Sequence, residues 1–401
     1  MGKSLPTIFH WARAAGIWAN TEIVPLSNFS EDGLAAVGTN RGISAVGAYD
    51  MAGNAKEWCW NSATEGRFIL GGAWNEPFYM FNEADAQSPF SRGDAFGFRL
   101  VKYITPPAPS RLVAVDYPRR YFSKEKPASD AVFKVIRDLY AYDKSPLHAV
   151  IDSVDDSNEH WRKETVSFDA AYRSERVILY LFLPRHTRPP YQTVVFFPGS
   201  NVIEMGSSRE LAPPYDGAIV KGGRAFAYPV YKGTFERRDA LDTDYPVRTD
   251  LYREHVFAWY KDLARTLDYI ETRRDLDASR IAYYGFSWGA RLGPLFLALD
   301  PRLKAAVLVS GGLKVATTFP EADPFNFASR VTAPVLMLNG RYDYFFPLET
   351  SQKPLLRLLG TPVADKRHLV FESGHAPPFT PVITAMLDWF DRYLDPVSRP
   401  E

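Results

Sequence analysis

One cysteine, Cys59, is present among 401 residues, so an internal disulfide framework and a cysteine-built zinc cluster are both excluded. Neither sign of charge is in excess: Lys plus Arg and Asp plus Glu both number 47. No basic field exists to hold nucleic acid or an anionic membrane. No run approaches the roughly 18 apolar residues of a spanning helix. The start of the chain also lacks the unbroken apolar core of a secretory signal, because His10 and Arg13 interrupt Ile8 to Ala19. The expectation is a soluble protein without membrane or nucleic-acid partners, cytoplasmic by default. What is there is ordinary, with 46% hydrophobic and 23% charged residues. At this length two domains are expected.

The most informative stretch runs from Arg280 to Ala290, Arg-Ile-Ala-Tyr-Tyr-Gly-Phe-Ser-Trp-Gly-Ala. Ile281 to Tyr284 are β-branched or aromatic apart from Ala282, as suits a buried strand. Gly285 and Gly289 bracket Ser287. A nucleophile held on a tight strand-to-helix turn needs neighbours without a Cβ atom, and this spacing provides them. Ala290, Leu292, Leu295, Phe296 and Leu299 then mark a helix. Its first N–H groups point at the space beside Ser287, where an oxyanion would be stabilised.

From Thr165 onward strand and helix patterns alternate, which predicts a mostly parallel sheet with helices on both faces. Strands are expected at Arg176–Leu183, Thr193–Phe197, Arg224–Val230, Ala305–Val309, Pro334–Leu338 and His368–Phe371. Val256, Trp259, Leu263, Leu267 and Ile270 mark one face of a long helix. Ser129 is the expected N-cap of a helix with Val132, Phe133, Ile136, Leu139 and Tyr140 on its apolar stripe. Thr380 and Pro381 are expected to start the last helix as N-cap and N1.

These features resemble the α/β-hydrolase fold over roughly residues 149–396, and more narrowly its dienelactone hydrolase, acetyl xylan esterase and prolyl oligopeptidase branch. The resemblance implies a triad in the chain order Ser, Asp, His. Ser287 is the nucleophile. Asp343 follows a strand in Asn-Gly-Arg-Tyr-Asp, where the fold places its acid, and His375 follows the next strand in Glu-Ser-Gly-His-Ala-Pro-Pro. The expected oxyanion donors are the backbone N–H groups of Trp288 and of Ser200, the latter in Phe-Pro-Gly-Ser-Asn. Tyr231, Phe345, Phe346 and Phe379, with the Trp288 side chain, are candidates for a substrate pocket, each with core packing as the alternative. Arg237 and Arg238 contact substrate or close a loop ion pair, and the ion pair is preferred.

The first hundred residues are rich in Gly, Asn, Trp and Phe. Tyr49 to Trp58, Ile69 to Trp74 and Phe96 to Arg99, with Leu5 to Thr7 and Trp11, resemble the later part of the formylglycine-generating, or sulfatase-modifying, enzyme family. That family's catalytic cysteines are absent, since residues 75–95 contain none. Cys59 is read as a packing residue. The resemblance implies one structural calcium site, from the carboxylates of Asp50 and Glu57 with the carbonyls of Gly53 and Ala55. A second, poorer match involves Asn20, Asp32 and Leu34. Only Leu5 to Ala15 offers a helix here, with Pro6 near its first turn.

The expected organisation is a truncated, irregular α+β sulfatase-modifying-like domain over residues 1–103, a stiff linker over 104–128 and the α/β-hydrolase over 129–401. Such fusions occur in bacterial proteins that also carry a serine/threonine kinase, so the chain is expected to come from a longer polypeptide. The function expected is a serine carboxylesterase for short-chain esters, with no cofactor needed for catalysis. A peptidase or acetyl xylan esterase variant of the fold is the nearest alternative. A scaffold module is the alternative from another class.

Overall fold

Two hydrophobic cores organise the computed structural model, which describes residues 2–29, 32–64, 66–116 and 120–397. The chain divides into two compact units. The first gathers Met1–Arg119 together with two later loops, Gly340–Glu349 and Glu372–Ala376; the second takes the rest.

In the first unit, β1 (Lys56–Ala63) pairs antiparallel with β2 (Gly66–Leu70). Two short strands, β3 (Ala86–Gln87) and β4 (Phe96–Gly97), flank them in the order β3-β2-β1-β4. Trp11, Ile23, Met51, Phe68 and Phe81 fill the core beneath. Cys59 is fully buried there, and burial, reinforced by Glu57, pushes its thiol pKa up, as befits an inert packing residue. The expected first helix covers only Ile8–Ala15. Pro6 lies outside it because Thr7 takes the N-cap, its hydroxyl accepting from the His10 N–H. Within the stretch expected as a linker, the chain still contacts β1. Asn61 Nδ2 donates to the carbonyls of Arg111 and Val113, both at 2.8 Å, and Val115 N–H donates to Ser62. Residues 117–119 of that segment lie outside the described residues.

The second unit holds a sheet of nine strands among the described residues. These are β5 (Val150–Asp155), β6 (Trp161–Asp169), β7 (Arg176–Pro184), β8 (Tyr191–Phe197), β9 (Ala225–Val230), β10 (Leu276–Phe286), β11 (Leu303–Val309), β12 (Val335–Gly340) and β13 (Lys366–Phe371). Their order is β13-β12-β11-β10-β8-β9-β7-β6-β5. Pairing is parallel from β9 through β8, β10 and β11 to β12, and antiparallel among β5, β6, β7 and β9. Each central strand has a buried apolar stretch, residues 194–197 in β8, 281–284 in β10 and 305–309 in β11, because both faces are covered there. The helix Asp250–Thr272 buries Val256, Trp259, Leu263, Leu267 and Ile270 completely, as its periodicity requires. Ser129 caps the helix Asp130–Asp138, but only Phe133, Ile136 and Tyr140 of the expected stripe are buried, while Val132 and Leu139 are half exposed. The last helix, Phe379–Leu394, starts before its expected cap: Pro378 is the N-cap, and Thr380 lies within the first turn.

Candidate active site

Within the second unit, β10 ends at Phe286 and the helix Trp288–Leu299 begins two residues later, leaving Ser287 to make the whole turn. Its backbone sits at φ 52° and ψ −102°, a strained combination for a residue with a side chain. Two glycines make the turn possible by removing atoms. A Cβ on Gly285 would lie 2.5 Å from the Gly289 carbonyl carbon, and one on Gly289 would lie 2.2 Å from the Phe197 oxygen. The turn is pinned from both sides, as Ser287 N–H donates to Val309 at 2.8 Å and Gly289 N–H donates to Pro198 at 3.0 Å. The second bond ties the start of the helix to the loop after β8. That loop carries Gly199 and Ser200, so the bond links the two segments that bear the expected oxyanion donors, Trp288 N–H and Ser200 N–H.

Asp343 and His375 lie on the two loops that join the first unit. His375 Nδ1 meets Asp343 Oδ2 at 2.9 Å, and Asp343 is fully buried. The other carboxylate oxygen accepts the N–H groups of Phe345 and Phe346, at 2.8 and 3.1 Å. One oxygen is thus fixed by the main chain while the other orients the imidazole. Around this pair the loops are joined by further bonds. Tyr342 N–H donates to Ser373 at 3.0 Å, and Glu372 accepts from Arg341 Nε at 2.5 Å and from the Tyr342 hydroxyl at 2.9 Å. The Arg341 bond, with that of Tyr342, holds the Glu372 carboxyl below its usual pKa. Gly340 permits the close approach: a Cβ there would lie 1.9 Å from the Gly374 oxygen and 2.4 Å from that of Ser373. Gly340, Tyr342 and Glu372 were invisible as site residues in the sequence, since nothing local marks a contact between loops 30 or more positions apart.

The aromatic candidates separate into core and surface. Tyr231 is fully buried and donates its hydroxyl to the Phe196 carbonyl at 3.0 Å, with its ring stacked on Phe197. It is a core residue, which corrects its assignment to the pocket. The Trp288 ring is likewise buried, packed edge-on against Phe197 and Trp259. Phe345 is half exposed with its ring 4.7 Å from that of His375, whereas Phe346 is buried and stacks on the same imidazole. Phe379 is half exposed beside Tyr215. Arg237 is spent on structure, since it reaches buried Asp262 at 2.6 Å and the Tyr172 hydroxyl at 2.6 Å. Burial opposes its charge, and Asp262 and Tyr172 more than reverse that, raising its pKa.

The residues of the expected calcium site do not fit a cation. Both oxygens of Glu57 receive the Arg99 guanidinium at 2.6 Å, and one also accepts Trp11 Nε1 at 2.8 Å. Asp50 accepts the Gly38 N–H at 2.7 Å and the Asn40 amide at 3.4 Å. Gly53 sits at positive φ with its α-carbon against the Asn28 carbonyl, a reason for glycine that needs no metal. Ala55 is half-buried between Asn54 and Lys56. For the second site, Asp32 and Leu34 are exposed, while Asn20 is buried and donates to the Tyr342 carbonyl. No group of three or more His, Cys, Asp or Glu side chains is placed to hold a metal among the described residues.

The architecture of the second unit is that of an α/β-hydrolase, and comparison with known proteins agrees. Residues 218–365 match the dienelactone hydrolase family, and residues 1–104 match the sulfatase-modifying factor enzyme 1-like domain. A Yersinia pestis protein named "Putative carboxymethylenebutenolidase" is 34% identical over 144 residues, 32% of this chain and 54% of that protein. The chain thus spans about half the length of the curated relatives it matches. Two solved acetyl xylan esterases share the fold. The one from Paenibacillus sp. R4 is 20% identical, at a TM-score of 0.52, over 68% of this chain and 96% of that one. Acetyl xylan esterase 1 from Thermoanaerobacterium sp. JW/SL YS485 is 15% identical, at a TM-score of 0.53, over 69% and 96%. Among the described residues no helix is long and apolar enough to cross a membrane.

Proposed function

We propose that this protein is a serine carboxylesterase in which Ser287 is the nucleophile, His375 the general base and acid, and Asp343 the residue that orients the imidazole. The observation that carries the reading is the backbone of Ser287, held at φ 52° and ψ −102° between two glycines that steric contact makes obligatory. Strain of this kind persists where the surrounding structure enforces it and function uses it.

The chemistry follows from the parts. With Nδ1 engaged by Asp343, Nε2 is the nitrogen that takes the Ser287 proton as Oγ attacks the ester carbonyl. The N–H groups of Trp288 and Ser200 stabilise the oxyanion. His375 gives the proton to the leaving alcohol, and water then releases the acid from the acyl-serine by the same steps in reverse roles. The match to the dienelactone hydrolase family and the names of the relatives support ester or lactone substrates. A short acyl chain is favoured because the segment from Gly312 to Val331 is too brief for a large helical cap.

Hydrolysis of p-nitrophenyl esters from acetate to palmitate, with wild type and Ser287→Ala, tests this reading. Activity should peak at the short chains and vanish in the variant. A variant that matches wild type would sink it.

A further inference from the structure

We propose that the short helix Asn20–Ile23 and the turn Phe78–Phe81 form a seat that positions Asp343 and His375 for catalysis, so that the N-terminal segment is a working part of the esterase. This rests on the triad proposed above. Asn20, 2% exposed, donates its Nδ2–H to the Tyr342 carbonyl at 3.3 Å. Tyr342 immediately precedes Asp343. The next helix residue, Thr21, touches the other loop: a Cβ on Gly374 would lie 2.7 Å from Thr21 Oγ1, and Gly374 immediately precedes His375. Two adjacent residues of one helical turn therefore contact the residue before the acid and the residue before the base. A third contact comes from Phe78, whose ring meets that of Tyr342 edge-on at 5.5 Å. Tyr342 packs on the N-terminal core with Trp11, Ile23 and Phe81, and the two loops segregate with that core.

The physical consequence is preorganisation. Asp343 and His375 stand on loops, which without support sample more conformations than the strands they follow. A catalytic pair must be held within a fraction of an ångström, by neighbours whose own positions are locked. The seat supplies this through its contacts to Tyr342 and Gly374, the residues that precede the acid and the base. Asn20, Thr21 and Phe78 are positioning residues.

The test uses the full chain and p-nitrophenyl acetate, with Ser287→Ala and His375→Ala as controls for the triad. Asn20→Ala and Phe78→Ala should each lower kcat about tenfold or more, with KM within about twofold and the acid limb of the kcat/KM–pH profile displaced. Phe78→Tyr, which restores the ring, should recover most of the rate. If the controls are inactive while Asn20→Ala and Phe78→Ala keep kcat and pH profile within about twofold of wild type, the seat is refuted and the esterase stands. Loss of kcat with an equal rise in KM and a collapsed melting transition in both variants would mark a merely structural role and overturn it too. Wild-type rates in the controls would remove the triad, and the seat with it.

Discussion

Gly340 offers a sharp way to perturb the site without touching any reacting group. In Gly340→Ala the new methyl would lie 1.9 Å from the Gly374 oxygen and 2.4 Å from that of Ser373, both backbone atoms that cannot rotate away. Ordinary contact begins near 3.4 Å, so the two loops must part by about 1.5 Å at this point. Asp343 cannot follow, because its Oδ1 is held by the N–H groups of Phe345 and Phe346. The 2.9 Å bond from His375 to Oδ2 must then stretch beyond hydrogen-bonding range. A misplacement of about 1 Å can cost roughly 10²-fold in rate, and loss of imidazole orientation costs up to about 10⁴-fold. The expected result is a kcat on p-nitrophenyl acetate lowered at least about a hundredfold, with a stability loss of only about 1–3 kcal/mol. Stopped-flow release of p-nitrophenol and a thermal melt on the same sample measure both. A folded Gly340→Ala enzyme with kcat within about twofold of wild type would refute the reasoning.

Three further expectations follow from the structure. Gly289→Ala places a methyl 2.2 Å from the Phe197 oxygen, so the elbow should fail to form; a soluble, fully active variant would contradict this. Arg237→Leu strands buried Asp262 without its cation and should cost about 3–5 kcal/mol in urea unfolding, whereas a substrate-contacting arginine would show chiefly as a raised KM. His368 on β13 has its pKa lowered from 6.5 to about 4, by burial and then by Lys353. Its neutral form is favoured in the native state, so the stability it contributes is complete above about pH 6.5 and is lost as pH falls toward 4. Between pH 7 and pH 5 that amounts to about 2 kcal/mol. His368→Gln should flatten this part of the pH dependence, and an unchanged slope would exclude the assignment.

Much of the second unit was legible because covered parallel strands read as unbroken apolar runs; residues 194–197 in β8 and 305–309 in β11 are examples. The two strands β5 and β6 at one edge were not. β5 is exposed along its whole length, and β6 opens with Trp161 followed by four polar residues, Arg-Lys-Glu-Thr, so neither carries that signal. The elbow could be read because its glycines bracket the serine within one short stretch, and Gly285 answers a contact with nearby Gly289. The support for Asp343 could not, since Asn20 and Tyr342 are 322 positions apart and only folding reveals their contact. Tyr231 shows the limit for aromatics, as composition alone does not separate a pocket wall from a core ring held by its hydroxyl. Glu57 shows it for carboxylates: a family motif suggested a cation, and Arg99 supplies the positive charge instead.

The most direct test of the central claim is to find where a covalent serine-directed probe lands. Wild-type protein treated with a fluorophosphonate and digested should carry one adduct, on the peptide containing Ser287. Labelling should be absent in Ser287→Ala and strongly slowed in His375→Ala. An adduct on another residue, or undiminished ester hydrolysis by the Ser287→Ala protein, would contradict the account.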